Sequence, residues 1–501
     1  MFKGHPKGLY VLFFTEMWER FGFYTVIAIF VYYLSENFGW APGRASEVYG
    51  VFIAFVYVTP ILGGWIADKM LGYGKTIILG AVTMMLGYAM MAFPSQSVAW
   101  LYAALVIVVF GNGFFKANIS VLVGNLYSHK DKSLKDAGYN IFYMGINIGA
   151  FFAPFAASGI KNFFLETMGT TLSTAYNAGF GVAAGGMLIS LLIFVMFRKY
   201  YKDADYQSGK SENSDKDEKL SKSEEKNRIV ALVIVYIIVV FFWMAFHQNG
   251  AALAYFARDY VFEYVSKVNY VLFDLAGLLG FLAAIASIVM LVRPKVSGRN
   301  KGIFGAVLVI SAIVLFWRYS TFDATNLVDP EKFQAFNPMF IVFLTPMLVG
   351  FWAFLNKKGK EPSTPKKIGI GMLIIAVAYV VMIFASIGLP AVHTLGNEGS
   401  DLMVSPYWLI GTFLFLTLGE LCISPMGLSL VSKVSPARFR GLMMGLWFGA
   451  TALGNYLVGF IGDYYENWEL WQFFLLLVVT SIIASILIML FSRRLEKVTE
   501  A

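Results

Sequence analysis

At 501 residues, with 58% hydrophobic and only 14% charged side chains, the chain is too apolar to be a string of soluble domains. Its +8 net charge, 39 Lys and Arg against 31 Asp and Glu, reads as membrane topology and calls for no nucleic acid, and a lone Cys422 excludes an intrachain disulfide. Apolar runs near the ~20 residues needed to cross a bilayer recur along its whole length and predict a polytopic, all-α integral membrane protein.

Hydropathy places fourteen spans at about residues 9–34, 47–68, 75–93, 98–124, 137–160, 174–197, 229–257, 270–292, 303–320, 336–355, 368–388, 406–431, 441–462 and 470–491. An even count puts both termini on one side. With that side cytoplasmic, 31 of the 39 Lys and Arg lie in inner segments and six in outer ones, so the positive-inside rule predicts cytoplasmic termini; the expected location is the plasma (bacterial inner) membrane. The short basic segment before Leu9 lacks a convincing cleavage site, and the first span is expected to stay.

That first span carries Glu16, Glu19 and Arg20 at membrane depth. Each such charge costs roughly 2.5–3.5 kcal/mol on insertion scales, so it is retained for a task. At spacings of three and four on a helix, the three heads share one face and partly neutralise one another. The loop after the second span, Gly64-Trp65-Ile66-Ala67-Asp68-Lys69 with Gly72 and Gly74-Lys75, combines tight-turn glycines with an acid suited to a helix end and resembles the loop signature of the major facilitator superfamily. A nucleotide loop at Gly74-Lys75-Thr76 fails, because position 69 is Lys where a glycine is required.

In the fourth span, Gly111-Asn112-Gly113-Phe114-Phe115-Lys116-Ala117-Asn118 supplies Lys116, the remaining cation at similar depth. Two carboxylates and two cations balance while dry; a proton on one glutamate frees a cation for a substrate carboxylate, making proton and substrate binding interdependent. Residues 198–228, with 9 Lys/Arg and 8 Asp/Glu among Ser, Asn and Gly, read as a solvated cytoplasmic linker. It separates a six-helix bundle, 1–197, from a second unit, 229–501, with an extra apolar pair at about 270–320 whose one candidate ligand is Asp274.

Polar groups recur in otherwise apolar spans: Tyr24, Tyr57, Asn147, Trp243, His247, Gln248, Asn337, Glu420 and Trp447. Glu420 is the one acid deep in the later half and has no sequence-local cation, which suits a ligand ammonium. Lys116 and Glu420, on opposite halves, form a grip for the two ends of a zwitterion with aromatic walls between. His247 admits two readings, a proton acceptor near neutral pH or a neutral hydrogen-bonding group. His5, His129 and His393 fall in terminal or loop segments and suggest no metal site.

At Glu16-x-x-Glu19-Arg20-Phe21, Tyr57-Val58-Thr59-Pro60, Phe115-Lys116-Ala117-Asn118, Gly145 to Phe151, Phe242-Trp243, Asn337-Pro338, Gly419-Glu420 and Ser424-Pro425-Met426-Gly427-Leu428-Ser429, the chain resembles the proton-dependent oligopeptide transporter family. That resemblance implies the major facilitator fold, two six-helix bundles plus two accessory helices. It also implies a proton-linked network of Glu16, Glu19, Arg20 and Lys116, with Lys116 meeting the peptide C-terminus. By the same resemblance, Asn147, Asn337 and Glu420 contact the peptide backbone and amino end, and Tyr24, Tyr57, Trp243 and Trp447 wall the pocket. The chain departs from its relatives in having Ile27 where they carry an arginine and His247 where they carry an acid, two positions that form a cation–acid pair in the family. Losing both leaves no orphaned charge but shortens the carboxylate clamp, and His247 becomes a candidate replacement in proton coupling. The extra helix pair also stands before Asn337 rather than between the sixth and seventh spans.

The expected function is proton-coupled import of di- and tripeptides by alternating access, with the proton gradient as energy source, no cofactor, no metal, no enzymatic chemistry and no obligate protein partner. A transporter of nitrate or another small anion would use Lys116 and Arg20 but find Glu420 an electrostatic liability. A non-transporting membrane enzyme or sensor is the other alternative, without an evident nucleophile elbow, metal-ligand cluster or signalling domain.

Overall fold

The structure, a computed structural model, describes residues 4–127, 132–205, 222–293, 296–396, 399–436 and 440–500. Its first six helices are α1 (Lys7–Phe38), α2 (Pro42–Ile66), α3 (Tyr73–Ala92), α4 (Val98–Asn125), α5 (Lys132–Asn162) and α6 (Leu172–Met196). The chain resumes with α7 (Lys222–Phe246), α8 (Ala252–Asp259), the short α9 (Lys267–Tyr270), α10 (Leu275–Val292), α11 (Gly298–Thr321), α12 (Phe336–Lys357) and α13 (Thr364–Ser386). Four helices close it: α14 (Tyr407–Val434), α15 (Arg440–Phe460), α16 (Gly462–Asn467) and α17 (Leu470–Glu500). Among the described residues, thirteen helical segments are long and apolar enough to cross a bilayer. The 32-residue α1 has the length as well, with its three charges in the middle. Part of the linker lies outside the described residues; α7 is already helical at Lys222, before the point where hydropathy places the start of the span.

Glycines set how the first six helices pack. Gly149 of α5 faces the Met17 carbonyl and the Phe21 amide, and Gly145 meets the Phe13 ring, so α1 lies directly on the backbone of α5. On its other side α1 meets Gly186 of α6 through Trp18 and Phe21, and Ser190 donates to the Thr15 carbonyl at 2.7 Å. Held between α5 and α6, the charged turn of α1 is excluded from lipid. The α2–α4 crossing is equally close: Gly63 abuts the Gly113 backbone, Thr59 Oγ1 donates to the Val109 carbonyl at 2.9 Å, and Asn118 Nδ2 to the Gly63 carbonyl at 3.1 Å.

In the second unit α7, α12, α13, α14, α15 and α17 form a matching bundle. The helices α10 and α11 pack on each other along Gly280, Val314 and Leu315, and their outer faces stay exposed, Phe316 at 77%. Asp274 caps α10 by accepting from the Gly277 amide at 2.7 Å and binds Arg318 through both oxygens, at 2.6 and 2.9 Å. That ion pair accounts for the one candidate ligand of the lateral pair. Two short antiparallel strands at the foot of the pair, β1 (Tyr264–Ser266) and β2 (Thr325–Leu327), bring its ends together.

The seventh span is not the continuous helix that hydropathy suggests. It breaks into a 3₁₀ turn at His247–Gly250 before α8 resumes. His, Asn and Gly are weak helix formers, and Gly250 lies against the Tyr49 ring of α2, where a side chain has no room. The carbonyls freed at the break find partners elsewhere: Tyr379 donates to Ala245 and Gln334 to Asn249.

The bundles meet at the end opposite the termini. There Gly50 and Gly459 bring α2 and α15 into backbone contact, and the Gly43 amide donates to Glu466 at 3.0 Å. Tyr32 donates to the Ala254 carbonyl at 2.9 Å and Tyr255 to the Val31 carbonyl at 3.0 Å. Among the described residues, bonds at the terminal end such as Asn125 to Ala204 and Lys366 to Glu496 run within each bundle.

Gly63→Val places methyl groups against the fixed Gly113 backbone and is expected to cost about 3 kcal/mol, the upper end for overpacking. Gly64, with nothing within 4 Å of an added Cβ, is the control. Thermal unfolding in detergent should separate Gly63→Val from Gly64→Val; equal melting would show that the α2–α4 seam has slack.

Candidate functional site

Glu16, Glu19 and Arg20 are all buried, at 3%, 0% and 4% exposure. Arg20 grips Glu19 with two donors, Nη2 to Oε1 at 2.7 Å and Nε to Oε2, and Nε also lies 3.2 Å from Glu16 Oε1. One guanidinium therefore serves two carboxylates, and Glu16 Oε2 is left without a hydrogen-bond partner. The face of the guanidinium covers the Phe23 ring, 5.2 Å from its centroid.

Lys116 completes the charge balance from α4 without touching either acid. Its ammonium sits over the Tyr57 ring, 4.0 Å from the centroid, within electrostatic range of Glu16 and Glu19. The Asn118 and Thr59 bonds across α2 and α4 set this geometry, holding the two helices at a fixed offset. A cation held by an aromatic face keeps its N–H donors available for an anion.

On the facing bundle, Asn337 Nδ2 donates to Glu420 Oε2 at 2.9 Å and Thr417 Oγ1 at 3.0 Å. No cation lies within ion-pair distance of Glu420 among the described residues. Its charge reaches Tyr24, Tyr57 and Tyr143 across the interface. Tyr57 therefore stands between the free cation of one bundle and the free acid of the other. Tyr143, which shares that neighbourhood, is 44% exposed, so the space between the bundles opens toward the terminal end.

Trp243 of α7 and His247, four residues on in the 3₁₀ turn, stack at 4.9 Å and 17°, with Tyr57 6.0 and 6.2 Å from the two rings. His247 Nδ1 and Trp243 Nε1 are buried without hydrogen-bond partners. The charged neighbour of His247 is Lys116, and no carboxylate pairs with it among the described residues. Two other sequence-derived residues sit at the edge. Asn147 donates to the Tyr143 carbonyl of its own helix at 3.0 Å and lines a fissure of about 300 Å³ among α5, α10 and α12, while Trp447 is buried against Gly427 of α14.

Tyr143 and Thr417 join the site although sequence reasoning did not single them out. The available signal was spacing: Tyr143 precedes Asn147 by four residues and Thr417 precedes Glu420 by three, one helical turn in each case.

Two six-helix bundles closed at one end around buried charges define a major facilitator transporter. Residues 74–216 and 309–471 match the POT family. The chain is 30% identical to the di-/tripeptide transporter of Lactococcus lactis subsp. cremoris over 99% of its own length and 97% of that protein's. It is 33% identical to the transporter YclF of Bacillus subtilis (strain 168), over 89% of this chain and 85% of YclF. Among solved structures, peptide transporter POT in complex with sulfate superposes with a TM-score of 0.75 at 26% identity, covering 100% of this chain and 97% of the other. The chain belongs to the POT family.

Removing the Asn337 amide leaves Glu420 a charge without its donor, whereas removing both partners' polarity leaves nothing unpaired. Asn337→Ala is expected to destabilise by roughly 1.5–3 kcal/mol. A double-mutant cycle with Glu420→Leu, which removes the acceptor outright, should return a coupling of about 1 kcal/mol or more; additive effects would mean the bond contributes nothing.

Proposed function

We propose that this protein is a proton-coupled symporter of di- and tripeptides in the bacterial plasma membrane, with both termini cytoplasmic. The observation that carries this reading is the division of free charge: Lys116 on one bundle and Glu420 on the other, each without an opposite charge at ion-pair distance among the described residues, with Tyr57 reached by both. A short zwitterion supplies a carboxylate for the first and an ammonium for the second. The Lactococcus lactis relative is named a di-/tripeptide transporter, a relative from Yersinia enterocolitica is named the peptide transporter YePEPT, and one related solved structure contains a thioalcohol-conjugated peptide.

With the termini inside, the arrangement is inward-open: the outer end is closed by the α2–α15 contact, and Tyr143 and Glu420 are reached from the cytoplasm. Coupling needs a group whose proton affinity differs between states. Glu16 is the candidate, because Arg20 is committed to Glu19 and leaves one Glu16 oxygen unbonded. When Glu16 is charged it draws on Lys116; when it is protonated Lys116 is free for the peptide carboxylate. Release of cargo to the cytoplasm and loss of the proton then favour each other. His247 acts as a neutral wall group, stacked on Trp243 and facing a lysine. An anion carrier is the weaker reading, because Glu420 would face nitrate without a cation of its own. The energy source is the proton gradient, and the reading requires no cofactor.

Liposomes with an imposed pH gradient should accumulate labelled dialanine. Lys116→Ala and Glu420→Gln should each abolish accumulation, and robust uptake by both would discard the site. An N-acetylated dipeptide, lacking the ammonium, should compete about ten- to a hundredfold less well than the free one, the span of one charged hydrogen bond. Competition by nitrate, with none by dialanine, would move the protein to the anion carriers. His247→Gln should keep its pH-dependent uptake, and loss of that dependence would make the imidazole part of the proton path.

A further inference from the structure

The closed end contains a second set of buried charges. On α5, Ser158, Lys161 and Asn162 share one face and reach across to the segment that leads into α12. Lys161 Nζ lies 2.8 Å from Asp329 Oδ1 and 2.7 Å from Glu331 Oε1. Asp329 also accepts from Ser158 at 2.6 Å and Asn162 at 3.1 Å, and pairs with Lys332 at 3.0 Å. All four charged groups are at most 9% exposed, Glu331 not at all. The two bundles are thus bolted together by two acids and two lysines, and only Lys161 belongs to the first bundle.

The two acids are not equivalent. Asp329 keeps Lys332 on its own side of the interface, three residues away, and those cations hold its carboxyl below the ordinary range although burial pushes the other way. Glu331 has Lys161 as its one cation at ion-pair distance among the described residues, 2.7 Å from Oε1, and no other side chain bonds its carboxylate. The other ionisable groups around it supply no free cation. They are Tyr32 on α1, Tyr176 on α6, and on α8 Arg258, which is tied to Asp259 at 2.6 and 3.1 Å. When the bundles part, Lys161 leaves with α5, and the second bundle retains two carboxylates for one lysine.

We propose that Glu331 is a second proton-binding site, the latch of the outer gate: a proton on its carboxyl removes one of the two acids that hold Lys161, leaves Asp329 alone to retain it, and so lets the bundles separate at the end opposite the termini. The proton neutralises the carboxylate that opening would strand, so proton affinity is higher in the open state and low outer pH favours opening. This rests on the alternating-access reading but not on the identity of the cargo. It also gives the chain a charged outer lock where Ile27 and His247 provide none.

The test is the distance across that end, without substrate. Spin labels at Thr167→Cys and Asp401→Cys, both exposed, in a Cys422→Ser background in nanodiscs should report a short distance at alkaline pH and a growing long-distance population on acidification. Glu331→Gln should hold the long distance across the range, raising its population relative to the parent at alkaline pH by roughly fivefold or more. Lys161→Gln, which removes the partner instead, should also favour the long distance. A pH response of the parent that survives in Glu331→Gln, or short distances retained in both variants, would overturn the proposal. Because no cargo is present, failure here leaves the peptide assignment standing, and failure of peptide uptake leaves the latch standing.

Discussion

Everything at the centre of this protein follows from placing two carboxylates where a single guanidinium must serve both. Arg20 satisfies Glu19 with a two-donor grip and reaches Glu16 with what remains, leaving one buried oxygen unbonded. Burying an unpaired charge costs several kcal/mol, so such a cluster is tolerable only if a further positive charge is near and water is kept out. The glycine seams meet the second requirement. Gly145 and Gly149 on α5 and Gly186 on α6 press the charged turn of α1 between two helices. Lys116 meets the first, from a distance at which it stabilises the acids without being consumed by either.

The aromatic ring beneath Lys116 makes that arrangement usable. Had the lysine formed a direct ion pair, releasing it to a ligand would expose a bare carboxylate. Over Tyr57 it gives up an interaction of roughly 0.5–2 kcal/mol instead, a small barrier to handing its charge to an incoming anion. Glu420 is held in the same way, by the neutral donor Asn337 rather than by a cation. Both ends of the site are therefore ionisable, oriented and without an ion-pair partner among the described residues, which is what the proposed recognition of a zwitterion needs.

Much of this was legible in the chain. Glu16, Glu19, Arg20, Lys116 and Glu420 announce themselves because charge in an apolar run is rare, and their helical spacing fixes which share a face. The lateral pair was legible from its apolar length and lack of polar residues. What stayed hidden depends on partners far along the chain. The break at His247–Gly250 requires Tyr49, Gln334 and Tyr379, from three other helical segments, to take up its surfaces and carbonyls. Lys161 counts in the sequence as one more outer cation, because the acid that explains it is 168 residues away. Lys116 looks in the sequence like a partner for the α1 acids, and only the α2–α4 packing reveals that Tyr57 reaches it first.

Helix α5 links the two charge sets mechanically. At 1.5 Å per residue, Gly149, which carries the charged turn of α1, and Lys161, which carries the ion cluster, stand about 18 Å apart on one helix. A displacement of the Lys161 end must either move the surface against which Glu16 and Arg20 are packed or be absorbed between the two. Pro154 lies in that interval, where its missing N–H interrupts the helical ladder. The outer cluster and the central acids thus sit on either side of the position at which α5 bends most readily. In the proposed opening, a bend at Pro154 leaves Gly145 and Gly149 seated on α1, so the outer end parts without dismantling the charge network whose burial the centre depends on.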